Sequence, residues 1–341
     1  MKKIFTNRPY FIAEIGVNHN GNMNLAKKMI ISAIKSGANA VKFQTFKAET
    51  LVTPNTPKVK YQKSTTNIKE SHFEMIKSLE LSEKNHIILK NFCKKKKIDF
   101  LSTPYDLNSA KYLSSIGCKV FKTASADIVD LELHEYLAKK NKTVIISTGM
   151  SSFKEIDQCI NLYKKYLNKK FILLHCVSNY PCSIKSLNLK IIPEIKKRYN
   201  CQVGYSDHSV GIDAATLSYI LGARIFEKHF TISKKLKGPD QKASALPEEF
   251  KEMIFKINNA EIILGKPIKK CQPEEAEMSR VSRKSLTLNR YFLKGEKIKK
   301  SDLILKRPGT GLYYKEINNV IGKIAKKNLK KNYQIKLLDF I

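Results

Sequence analysis

GYSDH (204–208) and IFEKHF (225–230) decide the reading of this chain. Each is a short strand-forming run that carries a histidine at the point where a buried strand would emerge into a loop. Two imidazoles on neighbouring loops can hold one divalent metal over a cleft, so His208 and His229 are candidate metal ligands. A lone histidine is more often a satisfied structural residue. It is the pairing at two strand ends that favours ligation.

The rest of the chain has the same habit. Eight segments read as short buried strands from their β-branched and aromatic content and their flanking turn residues: Tyr10–Ile15, Ala40–Gln44, Asp99–Ser102, Val120–Thr123, Thr143–Ser147, Phe171–Cys176, Gln202–Tyr205 and Arg224–Glu227. Helix-patterned stretches lie between them, among them Asn24–Ser36, Ser82–Lys96, Asn108–Ile116, Ser152–Leu167 and Ile212–Leu221. Strand alternating with helix eight times predicts an α/β fold, a (β/α)8 TIM barrel. A doubly wound sheet is the alternative, but no G-x-G-x-x-G turn follows the first strand.

In such a barrel the active site lies at the C-terminal ends of the strands. Those ends carry Glu14, Asn18 and His19; Lys42 and Gln44; Ser102 and Thr103; Lys122, Ser125 and Asp127; Ser147 and Thr148; Ser178 and Tyr180; Ser206, Asp207 and His208; and Lys228 and His229. Any one cluster reads as a helix cap or a loop. All of them together are hard to explain as capping. Lys42 and Lys122, beside the hydroxyls of Ser102, Thr103, Ser125 and Ser206, suit a small polyanion such as a phosphate ester with a carboxylate. The plain alternative for each lysine is a surface side chain laid along apolar neighbours. Glu14 and Asp127 are carboxylates available for acid–base work or for sugar hydroxyls, or else for helix capping or pairing with the two lysines.

The 341 residues suggest a large domain followed by a smaller one. The barrel is expected over 1–265 and closes with a helix at Pro247–Leu264. A polar linker or connecting helix follows over 266–283. A small unit occupies 284–341, with short strands and turns at Gly295 and Gly309. That unit is too small to bury much alone, so it is expected to dock, for instance on a partner subunit. No apolar stretch reaches membrane-spanning length, and MKKIFTNRPYFIAEIG reads as a first strand rather than a signal peptide. Seven cysteines, an odd number with no C-x-x-C pair, fit free thiols in a reducing cytoplasm. The formal net charge of +33 raises nucleic-acid binding. The basic residues are overwhelmingly lysine, however, and they are spread along the whole chain. Solvated helix faces explain them better than a recognition surface, so neither a nucleic-acid nor a membrane partner is expected.

The motifs FIAEIGVNHNG (11–21), AVKFQTFKAETLV (40–52), FLSTPYD (100–106), FKTASAD (121–127), ISTGM (146–150), LHCVSNYP (174–181), GYSDHS (204–209), EKHFT (227–231), GPD (238–240) and KRPGTG (306–311), with the Lys60–Gln62 segment, run through almost the whole chain in order. Together they resemble the sialic acid synthase family, which condenses phosphoenolpyruvate with an N-acylated amino sugar. The resemblance implies a TIM barrel followed by an antifreeze-like (SAF) domain. It makes His208 and His229 the ligands of Mn2+, or of Mg2+. It gives Lys42, Thr103, Lys122, Ser125 and Ser206 to phosphoenolpyruvate, and Glu14, Gln44, Tyr180 and Asp240 to the amino sugar. Ser178 stands where some members have Asn or Thr and can still donate a hydrogen bond. Many members have Glu where this chain has Asp127, a carboxylate about one methylene shorter. Arg307 matches the arginine that the SAF domain delivers to the barrel of the other subunit of a domain-swapped homodimer.

The reaction implied joins C3 of phosphoenolpyruvate to C1 of the open-chain sugar, adds water at C2 and expels phosphate. Lys42 and Lys122 would offset charge while Asp127 or Glu14 manages protons. N-acetylmannosamine, giving N-acetylneuraminate, is the first expectation for the sugar. Next is 2,4-diacetamido-2,4,6-trideoxymannose, giving N,N'-diacetyllegionaminate, and GPD makes pseudaminate less expected. Outside the class, the alternative is a basic binding protein with no activity.

Overall fold

Successive side chains of a strand point to opposite faces, and in this protein that alternation separates a barrel's core from its chemistry. The computed structural model describes residues 2–67 and 69–341. It divides into two units, Met1–Gly265 and Lys266–Ile341. The first holds β1 (Tyr10–Gly16), β2 (Ala40–Thr45), β3 (Asp99–Pro104), β4 (Val120–Thr123), β5 (Thr143–Ser147), β6 (Phe171–Cys176), β7 (Gln202–Asp207) and β8 (Ile225–His229). Parallel ladders join them in the order β3-β2-β1-β8-β7-β6-β5-β4. β3 and β4 pack side by side at the remaining seam. This is the expected (β/α)8 barrel, with each strand feeding a helical segment.

The helices follow in chain order: α1 (Met23–Lys35), α2 (Ala48–Leu51), α3 (Lys60–Thr65), α4 (His72–Ser78), α5 (Glu83–Lys96), α6 (Leu107–Ser115), α7 (Leu131–Lys139), α8 (Phe153–Lys165), α9 (Ile191–Tyr199), α10 (Asp213–Ile220), α11 (Pro247–Leu264) and, in the second unit, α12 (Ala276–Ser282). Several begin at a side-chain cap. Asn22 accepts from Asn24 and Leu25, Ser82 from Asn85, and Ser152 forms a capping box with Glu155. Three short helices, α2 to α4, interrupt the long connection between β2 and α5.

Five strands run further than the sequence pattern predicts, β1 and β2 by one residue and β3, β7 and β8 by two. β7 continues through Ser206 and Asp207, and β8 through Lys228 and His229, because Ser206 pairs with Glu227 and Asp207 with Lys228 in the ladder. Polar residues hide these ends in a hydrophobicity pattern, yet the backbone bonds persist.

Inside the barrel, Tyr10, Ile12, Ala40, Leu101, Val120, Ile145, Ile172, Leu174 and Ile225 form one apolar cluster. The residues between them, including Phe11, Ala13, Val41, Phe43, Phe121, Val144, Ile146, Leu173 and Phe226, belong to a second cluster shared with the helices. Two positions on from the inner cluster the same strands carry Glu14, Lys42, Thr103, Lys122, Ser147, Cys176 and Glu227. The inward face therefore changes from apolar to polar within one pleat.

In the second unit, β9 (Ser285–Leu288) and β10 (Leu303–Lys306) pair antiparallel. They share a core with Phe292, Ile298, Val320, Leu329, Ile335 and Phe340, so this small unit buries a cluster of its own. The stretch expected as a linker or connecting helix contains α12. Among the described residues no helix is long and apolar enough to cross a membrane.

Gly204 is the tightest point of the barrel wall. A Cβ there would meet the Ile225 carbonyl oxygen at 2.3 Å and the Leu174 side chain at 2.5 Å. Gly204→Ala should cost about 1–3 kcal/mol of overpacking, read as a lowered denaturant midpoint. An unchanged midpoint would contradict this account of the barrel's closure.

Candidate functional site

The polar inward layer surrounds a cavity of about 200 Å3 at the C-terminal ends of the strands. Of the residues singled out from sequence, Glu14, Lys42, Gln44, Thr103, Lys122, Ser125, Ser178, Tyr180, Ser206, His208, His229 and Asp240 all line it. They come from seven strands and their following loops. The pleat alone explains their convergence.

Four charges alternate in sign through its floor. The Lys42 ammonium lies 2.7 Å from Glu14 Oε2 and 3.8 Å from Glu227 Oε2. Glu227 Oε1 lies 3.7 Å from the Lys122 ammonium. Lys42 also donates to Thr103 Oγ1 at 2.9 Å, and Lys122 to Ser147 Oγ at 2.5 Å and to the Thr123 carbonyl at 2.9 Å. All four charged groups are buried. Burial pushes the Glu14 carboxyl up to about 7, against the pull of Lys42. Burial opposes the ionisation of Glu227 too, but Lys122 and then Lys42 hold it below its ordinary value. Lys122 is lowered, chiefly by burial. Glu227 Oε2 has no hydrogen-bond partner and faces only the Lys42 ammonium, at 3.8 Å. A floor with two desolvated ammonium groups, ringed by hydroxyls, is a preorganised site for a small anion.

Ser125 sits at the end of β4, where its hydroxyl accepts from the Gly149 amide at 3.0 Å and lies 3.2 Å from the Cys176 thiol. Gly149, from the ISTGM motif, has to be glycine for this approach. A Cβ there would fall 2.4 Å from Ser178 Oγ and 2.8 Å from both Ser125 Oγ and Cys176 Sγ.

His208 and His229 do meet: their ring centroids are 5.7 Å apart, and Tyr180 packs on both. His208 Nδ1 lies 2.9 Å from the Val177 carbonyl. A proton on Nδ1 makes that bond and leaves the Nε2 lone pair free to ligate. His229 Nδ1 is buried with no hydrogen-bond partner, 3.8 Å from Asp240 Oδ2. Burial, and then His208, hold the His229 imidazole well below its ordinary pKa, in the neutral form that binds metal. Two imidazole nitrogens beside carboxylates fit a divalent ion such as Mn2+. Among the described residues no three His, Cys, Asp or Glu side chains form a closed metal cage. Water or substrate oxygens would complete an open, catalytic type of site.

Asp240 is held from behind. The Ser244 hydroxyl donates to its carbonyl at 2.7 Å and accepts from Asn18 Nδ2 at 2.8 Å, while Gln241 Nε2 donates to the Asn18 carbonyl at 2.8 Å. Burial pushes the Asp240 carboxyl up to about 6.

Two expectations come out differently. Asp127 does not line the cavity. It lies in the 3-10 turn Ser125–Val129, which swings it away from the strand direction. Burial, and then Asp130, push its carboxyl up to about 7, and its Oδ2 has no hydrogen-bond partner. Asp207 and Lys228 face out of the barrel and pair with each other. Arg307 belongs to the second unit, where it is exposed.

Sequence reasoning passed over Glu227 and Cys176, although both line the cavity, and Ser147, noted at the end of its strand, lines it too. Counting back two residues from His229 would have found Glu227, because the two share a face. It also passed over one wall of the cavity, built from Val17, Phe46, Leu51, Ile76 and Leu79, with Tyr61, Gln62 and Tyr105 beside it. Most of these belong to a small apolar cluster of their own, formed by the loops after β1 and β2.

The NeuB family model matches residues 29–269, and the SAF domain model matches residues 283–341. The N,N'-diacetyllegionaminic acid synthase of Legionella pneumophila is 43% identical over 94% of this chain and 91% of its own length. The synthase of the same name from Campylobacter jejuni is 41% identical over 95% of this chain and 98% of its own length. Among solved structures, the N-acetylneuraminic acid (sialic acid) synthetase of Leptospira borgpetersenii superposes with a TM-score of 0.71 at 36% identity, covering 80% of this chain and 90% of that one.

Glu227 is the counter-charge that lets two buried ammonium groups share one floor. Glu227→Gln keeps the shape and removes that charge, and the loss should destabilise the protein by about 3 kcal/mol. Inorganic phosphate should then raise the melting temperature of the variant more than that of the native protein. Equal shifts would mean that Glu227 does not balance the two lysines.

Proposed function

This chain belongs to the NeuB family of sialic acid synthases, and from that premise we propose that it condenses phosphoenolpyruvate with 2,4-diacetamido-2,4,6-trideoxymannose and water to give N,N'-diacetyllegionaminate and phosphate. The observation that carries the choice of sugar is the apolar wall of Val17, Phe46, Leu51, Ile76 and Leu79 on a cavity whose floor is otherwise charged. A 6-deoxy carbon and a second acetamido methyl present apolar surface to such a wall, whereas the 6-hydroxyl of N-acetylmannosamine would lose hydration there. The two N,N'-diacetyllegionaminic acid synthases at 43% and 41% identity support the same reading. Support therefore moves from the N-acetylmannosamine first expected to the diacetamido sugar.

Lys42 and Lys122, with Thr103, Ser125 and Ser206, hold the phosphate and carboxylate of phosphoenolpyruvate. Glu14, Gln44, Ser178, Tyr180 and Asp240 orient the sugar so that its aldehyde carbon faces C3 of that substrate. His208 and His229 would hold the divalent metal, Mn2+ or Mg2+, which when bound polarises a carbonyl oxygen. The C2=C3 π pair forms the C3–C1 bond while the C1=O π pair moves onto the sugar oxygen, which takes a proton and becomes a hydroxyl. A water oxygen bonds to C2, gives up its protons and becomes the ketone oxygen as the C2–O bond breaks with its electron pair leaving on phosphate. The lysines offset the charge that collects on the leaving group. Glu14, inside the cavity and poised near neutrality, takes up the proton released when water adds at C2. Asp127, set back from the cavity, supports the turn after β4. The proposal includes a homodimer in which Arg307, exposed and without an ion pair among the described residues, serves the barrel of a neighbouring copy.

Phosphate release measured across a panel of sugars tests the substrate. The diacetamido sugar should exceed N-acetylmannosamine by about 10–100-fold in kcat/KM, the scale on which an apolar pocket rejects an added hydroxyl. A preference for N-acetylmannosamine would restore the neuraminate reading.

Glu14 can accept a proton only when ionised, so kcat/KM should rise with pH through about 7. In Glu14→Gln that inflection should vanish and the rate fall by about 10²–10⁴-fold. An inflection that survives the substitution would move the proton to another group.

A further inference from the structure

We propose that the buried ion pair of Asp207 and Lys228, on the outer face of the barrel, is a clamp that sets the spacing of His208 and His229 and so the affinity of the site for a divalent metal. The inference rests on the reading of those two histidines as metal ligands. Each partner lies between two inward-facing site residues, in Ser206-Asp207-His208 and Glu227-Lys228-His229, so the pleat turns both outward. They are direct partners in the β7–β8 register. The ammonium lies 2.7 Å from Asp207 Oδ2, with the two side chains only 4% and 2% exposed.

The bonds of the pair reach past the strands into the loop that carries His208. Lys228 Nζ also donates to the Ser209 carbonyl at 2.9 Å. Asp207 Oδ1 accepts from the Ser209 amide at 2.9 Å, from its hydroxyl at 2.6 Å and from the Tyr205 hydroxyl at 3.3 Å. One side chain from the residue before His229 thus bonds the Asp207 carboxylate on one side of His208 and the Ser209 carbonyl on the other. Neither charged group touches the cavity.

Stability alone does not call for such a pair. The neighbouring outward positions of these strands, Val203, Tyr205 and Phe226, lie in the apolar layer beneath the helices. A well-packed apolar pair at 207 and 228 would hold that layer at least as well, because two buried charges lose their hydration. An apolar pair has no directional bond to Ser209. What the charges add is a fixed distance between two loops, and that distance is what a two-histidine site needs.

The test is manganese binding by the metal-stripped full-length protein, followed by calorimetry or by the paramagnetic signal of the free ion. Asp207→Asn/Lys228→Met removes both charges at similar volume. Its manganese Kd should rise by about 10–100-fold, and turnover should recover at saturating manganese. A native Kd in the folded double variant, even with a lower melting temperature, would overturn the clamp and leave the pair a stability feature. If that variant does not fold, Ser209→Ala, which deletes a single bond to Asp207, decides instead. A weakened Kd with an unchanged near-ultraviolet spectrum supports the clamp, and an unchanged Kd overturns it. His208→Ala is the control for the site itself. If the native chain binds no manganese, the metal reading falls and the clamp with it. If the native chain binds and His208→Ala does not, the metal reading stands whatever the clamp variants do.

Discussion

A side-chain period of two, closed into a ring, is the constraint on which the rest of this molecule depends. Seven of the eight strands enter the barrel with an apolar residue facing inward and leave it with a polar one, as in Ile12 then Glu14, Val120 then Lys122, and Ile225 then Glu227 and His229. The ring brings these exits together although they are scattered over some two hundred residues of chain. The apolar plug below them is not only a source of stability. It keeps water from the floor of the cavity, so the charges above it interact in a medium where each is worth more than in water.

That medium explains the alternation of Glu14, Lys42, Glu227 and Lys122. A buried ammonium is costly unless a carboxylate stands beside it, and here each lysine has one within 4 Å. The arrangement leaves a carboxylate oxygen of Glu227 that accepts no hydrogen bond. Partly satisfied charge of this kind does not stabilise a fold. It is ready to reorganise its partners when an anionic substrate arrives, which suits preorganised electrostatic catalysis. The loops above hold their residues in the opposite way. Asn18, Gln241 and Ser244 tie Asp240 down through a chain of hydrogen bonds, and Gly149 gives up a side chain so that its amide can reach Ser125.

Much of this was legible in the sequence, because barrel strands are short, apolar and β-branched while their exits are not. His208 and His229 stood out for that reason, and so did Lys42 and Lys122. Glu227 did not, since a single carboxylate between Phe226 and Lys228 looks like surface until the pleat is counted. Asp207 and Lys228 misled in the reverse sense: as polar residues at strand ends they looked like part of the site, and only the pleat turns them outward. Asp127 has the right position in the chain, but the 3-10 turn after β4 changes its direction, and no hydrophobic pattern reports that. The apolar wall was invisible because its residues come from separate loops, and each one alone reads as ordinary core.

The central claim is that this face forms a carbon–carbon bond at C3 of phosphoenolpyruvate and releases phosphate from C2. The most direct measurement uses phosphoenolpyruvate with heavy oxygen in the bridge between C2 and phosphorus, mixed with the diacetamido sugar, manganese and enzyme, and follows the label by mass spectrometry. The account predicts that the label leaves with phosphate, and only when the sugar is present. Label retained in the nine-carbon product, or phosphate set free without any sugar, would mean that water attacks phosphorus and that the site is not the one described.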